Sequence, residues 1–68
     1  MSKFADNLKM LRQERNIGQV ELATKLDVSK GIISLWENGK REPTLTYIIK
    51  IAKFFNVSAD FLIGLENY

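Results

Sequence analysis

The chain has 68 residues, a net charge of +2, 46% hydrophobic and 26% charged residues, a balance that belongs to a folded protein and not to a disordered one. It has no cysteine and no histidine, which excludes a disulfide framework and a thiolate or imidazole zinc site. So short a globule hides only about 60% of the surface its unfolded form exposes, so we expect one domain, residues 1–68, held by packing alone.

Residues 1–6 open no apolar stretch of the signal-peptide kind, and no apolar run is long enough to cross a membrane. A reducing cytoplasm is the expected setting. Apolar residues recur at helical spacing with no sustained strand-like alternation, so five short helices are expected. Ser2 is suited to cap the first, where Phe4, Leu8 and Leu11 stand at i, i+4 and i+7 and leave Lys9, Gln13 and Glu14 toward water. It should end near Asn16. The second begins around Gln19, turns Val20, Ala23 and Leu26 inward with Leu22 nearby, and stops at Asp27, a residue type that tolerates left-handed backbone.

Ser29 is the expected cap of the third helix, with Ile33 and Trp36 three apart on its buried side and Lys30, Gly31, Ser34 and Leu35 pointing elsewhere. Trp36 therefore reads as core and not as a base-stacking platform. Asn38-Gly39 closes this helix, and residues 40–44 form a loop with the one proline. Thr44 can cap a fourth helix with Leu45, Ile48, Ala52 and Phe55 as its stripe. Ser58 opens a short fifth, in which Phe61 and Leu62 close the core behind Val57 and Gly64 ends the pattern.

Between Gln19 and Asn38 two short helices are joined by the tight connection Leu26-Asp27-Val28-Ser29, which is helix-turn-helix spacing. A short helical hairpin of any bundle gives similar spacing. The charge distribution adds to it: residues 25–41 hold Lys25, Lys30, Lys40 and Arg41 against Asp27 and Glu37, whereas residues 42–68 hold Lys50 and Lys53 against Glu42, Asp60 and Glu66. The middle of the chain is basic and its end slightly acidic.

The residues themselves carry a family signature. Gln19-Val20-Glu21-Leu22-Ala23, Leu26-Asp27-Val28-Ser29 and Ile33-Ser34-Leu35-Trp36-Glu37-Asn38-Gly39-Lys40-Arg41-Glu42-Pro43 resemble the phage repressor and Cro-like helix-turn-helix proteins, the XRE family. The resemblance continues through Ile51-Ala52-Lys53 and Asn56-Val57-Ser58 to Phe61-Leu62. It implies an all-α, compact five-helix repressor-like domain containing a helix-turn-helix, bacterial or phage-encoded and associated with the nucleoid. It also implies a sequence-specific DNA-binding transcriptional regulator, a repressor, whose helix of residues 29–38 enters the major groove of double-stranded DNA. A homodimer on a palindromic operator is expected, and no cofactor or metal.

Carried over by position, the resemblance places Ser29, Lys30, Gly31, Ile32 and Leu35 at base edges. Ile32 and Leu35 are open to core or dimer contacts instead. Gln19, Ser34, Asn38, Lys40 and Arg41 fall at phosphate-binding positions, Gln19 either bonding a phosphate or bracing the recognition helix, and Lys40 and Arg41 otherwise reading as a solvated loop. Arg12 and Glu37 match a partly buried ion pair. Three positions depart from the pattern: Gly18 replaces the common serine or threonine cap, Asp27 replaces the glycine of the turn, and Gly31 offers no side chain where a long reader is usual. Gly31 is either silent or lets the helix approach the bases closely. Lys30 then suits guanine acceptors and the aliphatic groups suit thymine methyls, so a thymine-rich half-site with one important guanine is expected.

Phe61, Ile63, Leu65 and Tyr68 are candidate dimer contacts, Phe61 equally a core residue. An adaptor or antitoxin on the same fold, binding DNA weakly or not at all, is the alternative. An enzyme is not expected, because no phosphate-cradling glycine motif occurs and Asp6, Asp27 and Asp60 stand on separate helices or turns.

Overall fold

All five helices end in the same way in the computed structural model, which describes residues 2–66. They are α1 (Ser2–Glu14), α2 (Gln19–Leu26), α3 (Lys30–Glu37), α4 (Leu45–Phe55) and α5 (Ala59–Ile63). Behind each stands a residue with positive φ: Asn16 (56°), Asp27 (58°), Gly39 (69°), Asn56 (56°) and Gly64 (89°). The N–H of the next residue then donates back across the last turn, from Ile17 to the Arg12 carbonyl at 3.3 Å, Val28 to Ala23 at 2.9 Å, Lys40 to Leu35 at 2.9 Å, Val57 to Ala52 at 3.0 Å and Leu65 to Asp60 at 2.7 Å. This satisfies carbonyls a helix end would otherwise leave bare and reverses the chain within a few residues.

Starts are fixed as locally. The side chains of Ser29, Thr44 and Ser58 accept from the N–H groups of Ile32, Tyr47 and Phe61, while Gly18 precedes α2 without a side-chain cap. The side chain of Ser2, and with it the expected first cap, lies outside the described residues, as does Tyr68.

The helices close around one apolar centre, with α1 packed on α3 and α5, α2 on α3, and α4 on α5. Phe4, Leu8 and Leu11 meet Leu22, Ala23 and Leu26, Ile33 and Trp36, and the Ile48, Ile51, Ala52 and Phe55 stripe there, with Phe61 and Leu62 below. Trp36, 2% exposed, stands edge-on to Phe4 at 6.3 Å and tilted to Tyr47 at 5.4 Å. Its ring is a core element. Among the described residues no helix is long and apolar enough to cross a membrane.

Two expected core residues lie outside. Val20 is 64% and Leu45 73% exposed. α2 buries Leu22, Ala23 and Leu26, and at 3.6 residues per turn Val20 lies about 200° round from Leu22. Leu45 has the right phase but is the first residue of α4, where the helix overhangs the core it serves further along. Ile51, absent from the expected stripe, is fully buried in its place.

Candidate nucleic-acid interface

The connection from α2 to α3 is held at three points. Asp27 adopts φ 58° and ψ 47°, Ser29 caps α3, and the Lys50 ammonium of α4 donates to the Leu26 carbonyl at 2.8 Å. A cation on the last carbonyls of a helix opposes its negative end. The turn is thereby tied to α4 as well as to its own two helices.

α3 is two-faced. Ile33, Trp36 and Glu37 are buried, Ile32 and Ser34 are half-buried, and Ser29, Lys30, Gly31 and Leu35 are exposed. Gly31 and Leu35, four apart, share the outward side one turn from each other. Ser29 spends its side-chain oxygen as an acceptor for Ile32 N–H at 3.2 Å, which leaves its hydroxyl proton to be donated. Ile32 packs partly against the core, and with Arg41, Pro43 and Tyr47 it lines an open depression of about 210 Å³ between α3 and the following loop.

Glu37 is the sole carboxylate between Ser29 and Arg41, and it is 8% exposed. Its Oε2 accepts from Arg12 Nε at 2.6 Å and its Oε1 from Arg12 Nη2 at 3.0 Å. The Gln19 amide donates to the same Oε1 at 3.0 Å, and Arg12 Nη1 donates to the Ile17 carbonyl at 3.0 Å. The hydrogen bond to Glu37 raises the Arg12 pKa above the ordinary arginine value, burial opposing and the carboxylate's charge adding. Arg12 is therefore cationic wherever the protein is folded, and Glu37 is matched inside the fold. What remains on the outside of residues 29–41 is cationic only: Lys30, Lys40 and Arg41, all exposed.

The candidate phosphate-binding residues divide into two groups. Lys40 and Arg41 stand in solvent just beyond α3. Asn38 is turned onto its own helix, its amide nitrogen donating to the Ser34 carbonyl at 2.9 Å and Oγ at 3.3 Å. Gln19, for which the resemblance implies either a phosphate contact or a brace on the recognition helix, donates its side-chain amide to Glu37 at the end of α3. The backbone N–H groups at the uncapped start of α2 remain beside it.

Three side chains that sequence reasoning passed over complete this framework: Lys50 on Leu26, Arg15 Nη2 on the Phe55 carbonyl at 3.2 Å, and Asn7 Nδ2 on the Phe61 carbonyl at 2.9 Å. Each meets a helix end remote in sequence, so no local pattern announces it. Among the described residues no cluster of His, Cys, Asp or Glu is placed to hold a metal ion.

Comparison with known proteins agrees with this geometry. Residues 8–62 match the model of the helix-turn-helix family. The chain is 41% identical over 65 residues to the HTH-type transcriptional activator BcrR of Enterococcus faecalis, covering 96% of this chain but 32% of that protein, so it spans about a third of that relative's length. It is 44% identical over 62 residues to the uncharacterized HTH-type transcriptional regulator MJ0272 of Methanocaldococcus jannaschii, covering 91% of this chain and 94% of the other. Its backbone is similar to that of the restriction-modification controller protein C.AhdI of Aeromonas hydrophila, with a TM-score of 0.81 and 26% identity over 90% of this chain and 92% of that one.

Proposed function

Because the chain belongs to the helix-turn-helix family of phage repressor and Cro-like transcriptional regulators, DNA-binding proteins without enzymatic activity, we propose that α3 reads a specific operator from within the major groove. The observation that carries this is the outward face of α3. It presents Lys30 and Leu35 to solvent and continues into Lys40 and Arg41, while the one acidic side chain of the segment is sealed against Arg12. A helix with a buried apolar side and a slim, cationic opposite side suits the groove in shape and charge.

In this reading Lys30 donates to guanine O6 and N7, and Leu35 with the outer part of Ile32 lies against thymine methyls. Ser29 and Gly31 stand at the same edge. Lys40 and Arg41 grip phosphates, Asn38 and Ser34 approach the backbone from the end of α3, and Gln19 contributes through the backbone N–H groups of its helix start, its amide being given to Glu37. One copy offers few base contacts, so two copies act together as a homodimer on inverted half-sites about 34–36 Å apart. Repression is the favoured sign of control, since occupying a promoter needs only DNA affinity.

Selection of bound sequences from a random DNA pool tests the proposal. The expected product is an inverted repeat with half-sites centred about 10–10.5 base pairs, or a multiple, apart, each thymine-rich with one strongly preferred guanine. Recovery of no enriched sequence would sink the reading and favour the adaptor or antitoxin alternative.

A further inference from the structure

The four glycines of the chain are not equivalent. Gly39 and Gly64 have φ of 69° and 89°, where a side chain is strained. Gly18 precedes α2 in extended backbone with φ −81°, a position glycine fills acceptably. Gly31 has neither reason. It is the second residue of α3, in the helix's first turn, it is exposed, and a β-carbon built on it would meet only Ser29 Oγ at 3.8 Å, an ordinary van der Waals contact. The fold would accept alanine there. Glycine is, after proline, the residue least favourable to a helix interior, and even in the first turn it adds nothing to α3 that alanine would not, so neither backbone nor packing asks for it here.

What the missing side chain leaves is a notch on the outward face, one turn before Leu35 and directly after Lys30. A helix with its side chains is about 10–12 Å across and the major groove about 12 Å wide. One extra carbon, extending about 1.5 Å from the backbone, is therefore not absorbed by slack. Lifting the helix by about 1 Å opens the contact of the short Leu35 side chain, where such a gap forfeits about a quarter to a half of the dispersion attraction, and forces the flexible Lys30 stem to extend to keep its base contact. We infer that Gly31 is a specificity-determining residue: its bare backbone sets the depth at which α3 seats, and thereby brings Lys30 and Leu35 within reach of the base edges. This rests on the assignment of α3 to the major groove.

The test compares Gly31→Ala and Gly31→Leu with the parent for thermal midpoint, affinity for the selected operator and affinity for unrelated duplex DNA. Gly31→Ala is expected to melt no lower than the parent, yet to bind the operator about tenfold or more weakly, roughly the worth of one good base contact. Gly31→Leu loses more, and neither variant changes affinity for unrelated DNA. Operator binding unchanged in both variants overturns the inference, as does a lower melting point for Gly31→Ala, which would make the glycine a requirement of the fold. Lys30→Ala and Arg41→Ala run in parallel keep two failures apart. If they weaken binding while the Gly31 variants do not, only the depth-setting role falls; if none of the four matters, the assignment of α3 to the groove falls with it.

Discussion

Arg12 of α1 and Glu37 at the end of α3 are joined by two parallel hydrogen bonds of 2.6 and 3.0 Å, with side chains 13% and 3% exposed. The planar guanidinium matches both carboxylate oxygens at once. Because Gln19 shares the same carboxylate, this pair fixes the far end of α3 against both α1 and the start of α2. The orientation of the outward face depends on it.

Removing one partner leaves the other buried and uncompensated. Arg12→Ala is expected to cost about 3–5 kcal/mol, a large share of the stability of a small domain, and to lower the thermal midpoint by more than about 10 °C. Replacing both partners with apolar residues, Arg12→Met with Glu37→Leu, should cost much less than either single change. Melting curves for Arg12→Ala, Arg12→Met, Glu37→Leu and the double variant decide it. A single mutant that melts with the parent would remove the account.

The left-handed residue of the turn gives a second expectation. Asp27 has φ 58°, a region that costs most L-residues about 1–2 kcal/mol and glycine little. Asp27→Gly should hold or raise the melting temperature, and Asp27→Val should lower it, valine being branched where the backbone tolerates it least. If valine were accepted as well as glycine, turn geometry would not govern stability at this position.

How much was legible in advance follows from how far apart the interacting groups lie in the chain. Ser29, Thr44 and Ser58 cap N–H groups three residues on, and Asp27, Asn56 and Gly64 end their helices through bonds across a single turn. Such relationships are written in a few adjacent letters, so the five helices and their order could be read directly. Val20 and Leu45 mark the limit in two ways: the short α2 offers more than one apolar phase, and Val20 belongs to the one that is not buried, whereas Leu45 has the right phase but no partner helix reaches that far. At the candidate interface the cationic run and the two-faced α3 were legible. The choice of Gln19 between bracing and phosphate contact was not, since Glu37 lies 18 residues away, and the clasp of Lys50 on Leu26, 24 residues apart, left no local trace.

The outward position of Val20 and Leu45 makes a third expectation. Val20→Lys and Leu45→Gln should each change stability by no more than about 0.5 kcal/mol, as surface substitutions do. Leu22→Ala, at a fully buried site, should cost about 2–5 kcal/mol. Urea titrations of the three variants check this. A loss for Val20→Lys comparable to that for Leu22→Ala would contradict the helix phase seen in α2.

Salt dependence separates the roles of the cations. With about 6–10 phosphates neutralised by a DNA-bound dimer, operator affinity should fall by about 10³–10⁵ between about 50 and 200 mM salt. Lys40→Ala and Arg41→Ala should weaken binding to every duplex alike and make the slope of log affinity against log salt shallower, by about one for each phosphate no longer neutralised. Lys30→Ala should act differently, because a base contact carries sequence information: discrimination at the preferred guanine should shrink by about 1–3 kcal/mol with a smaller change in slope. Titrations of operator, a guanine-substituted operator and unrelated DNA at several salt concentrations resolve these effects. A parent protein whose affinity ignores salt, or a Lys30→Ala variant that still distinguishes the guanine as well as the parent does, would contradict the division of labour between α3 and the loop behind it.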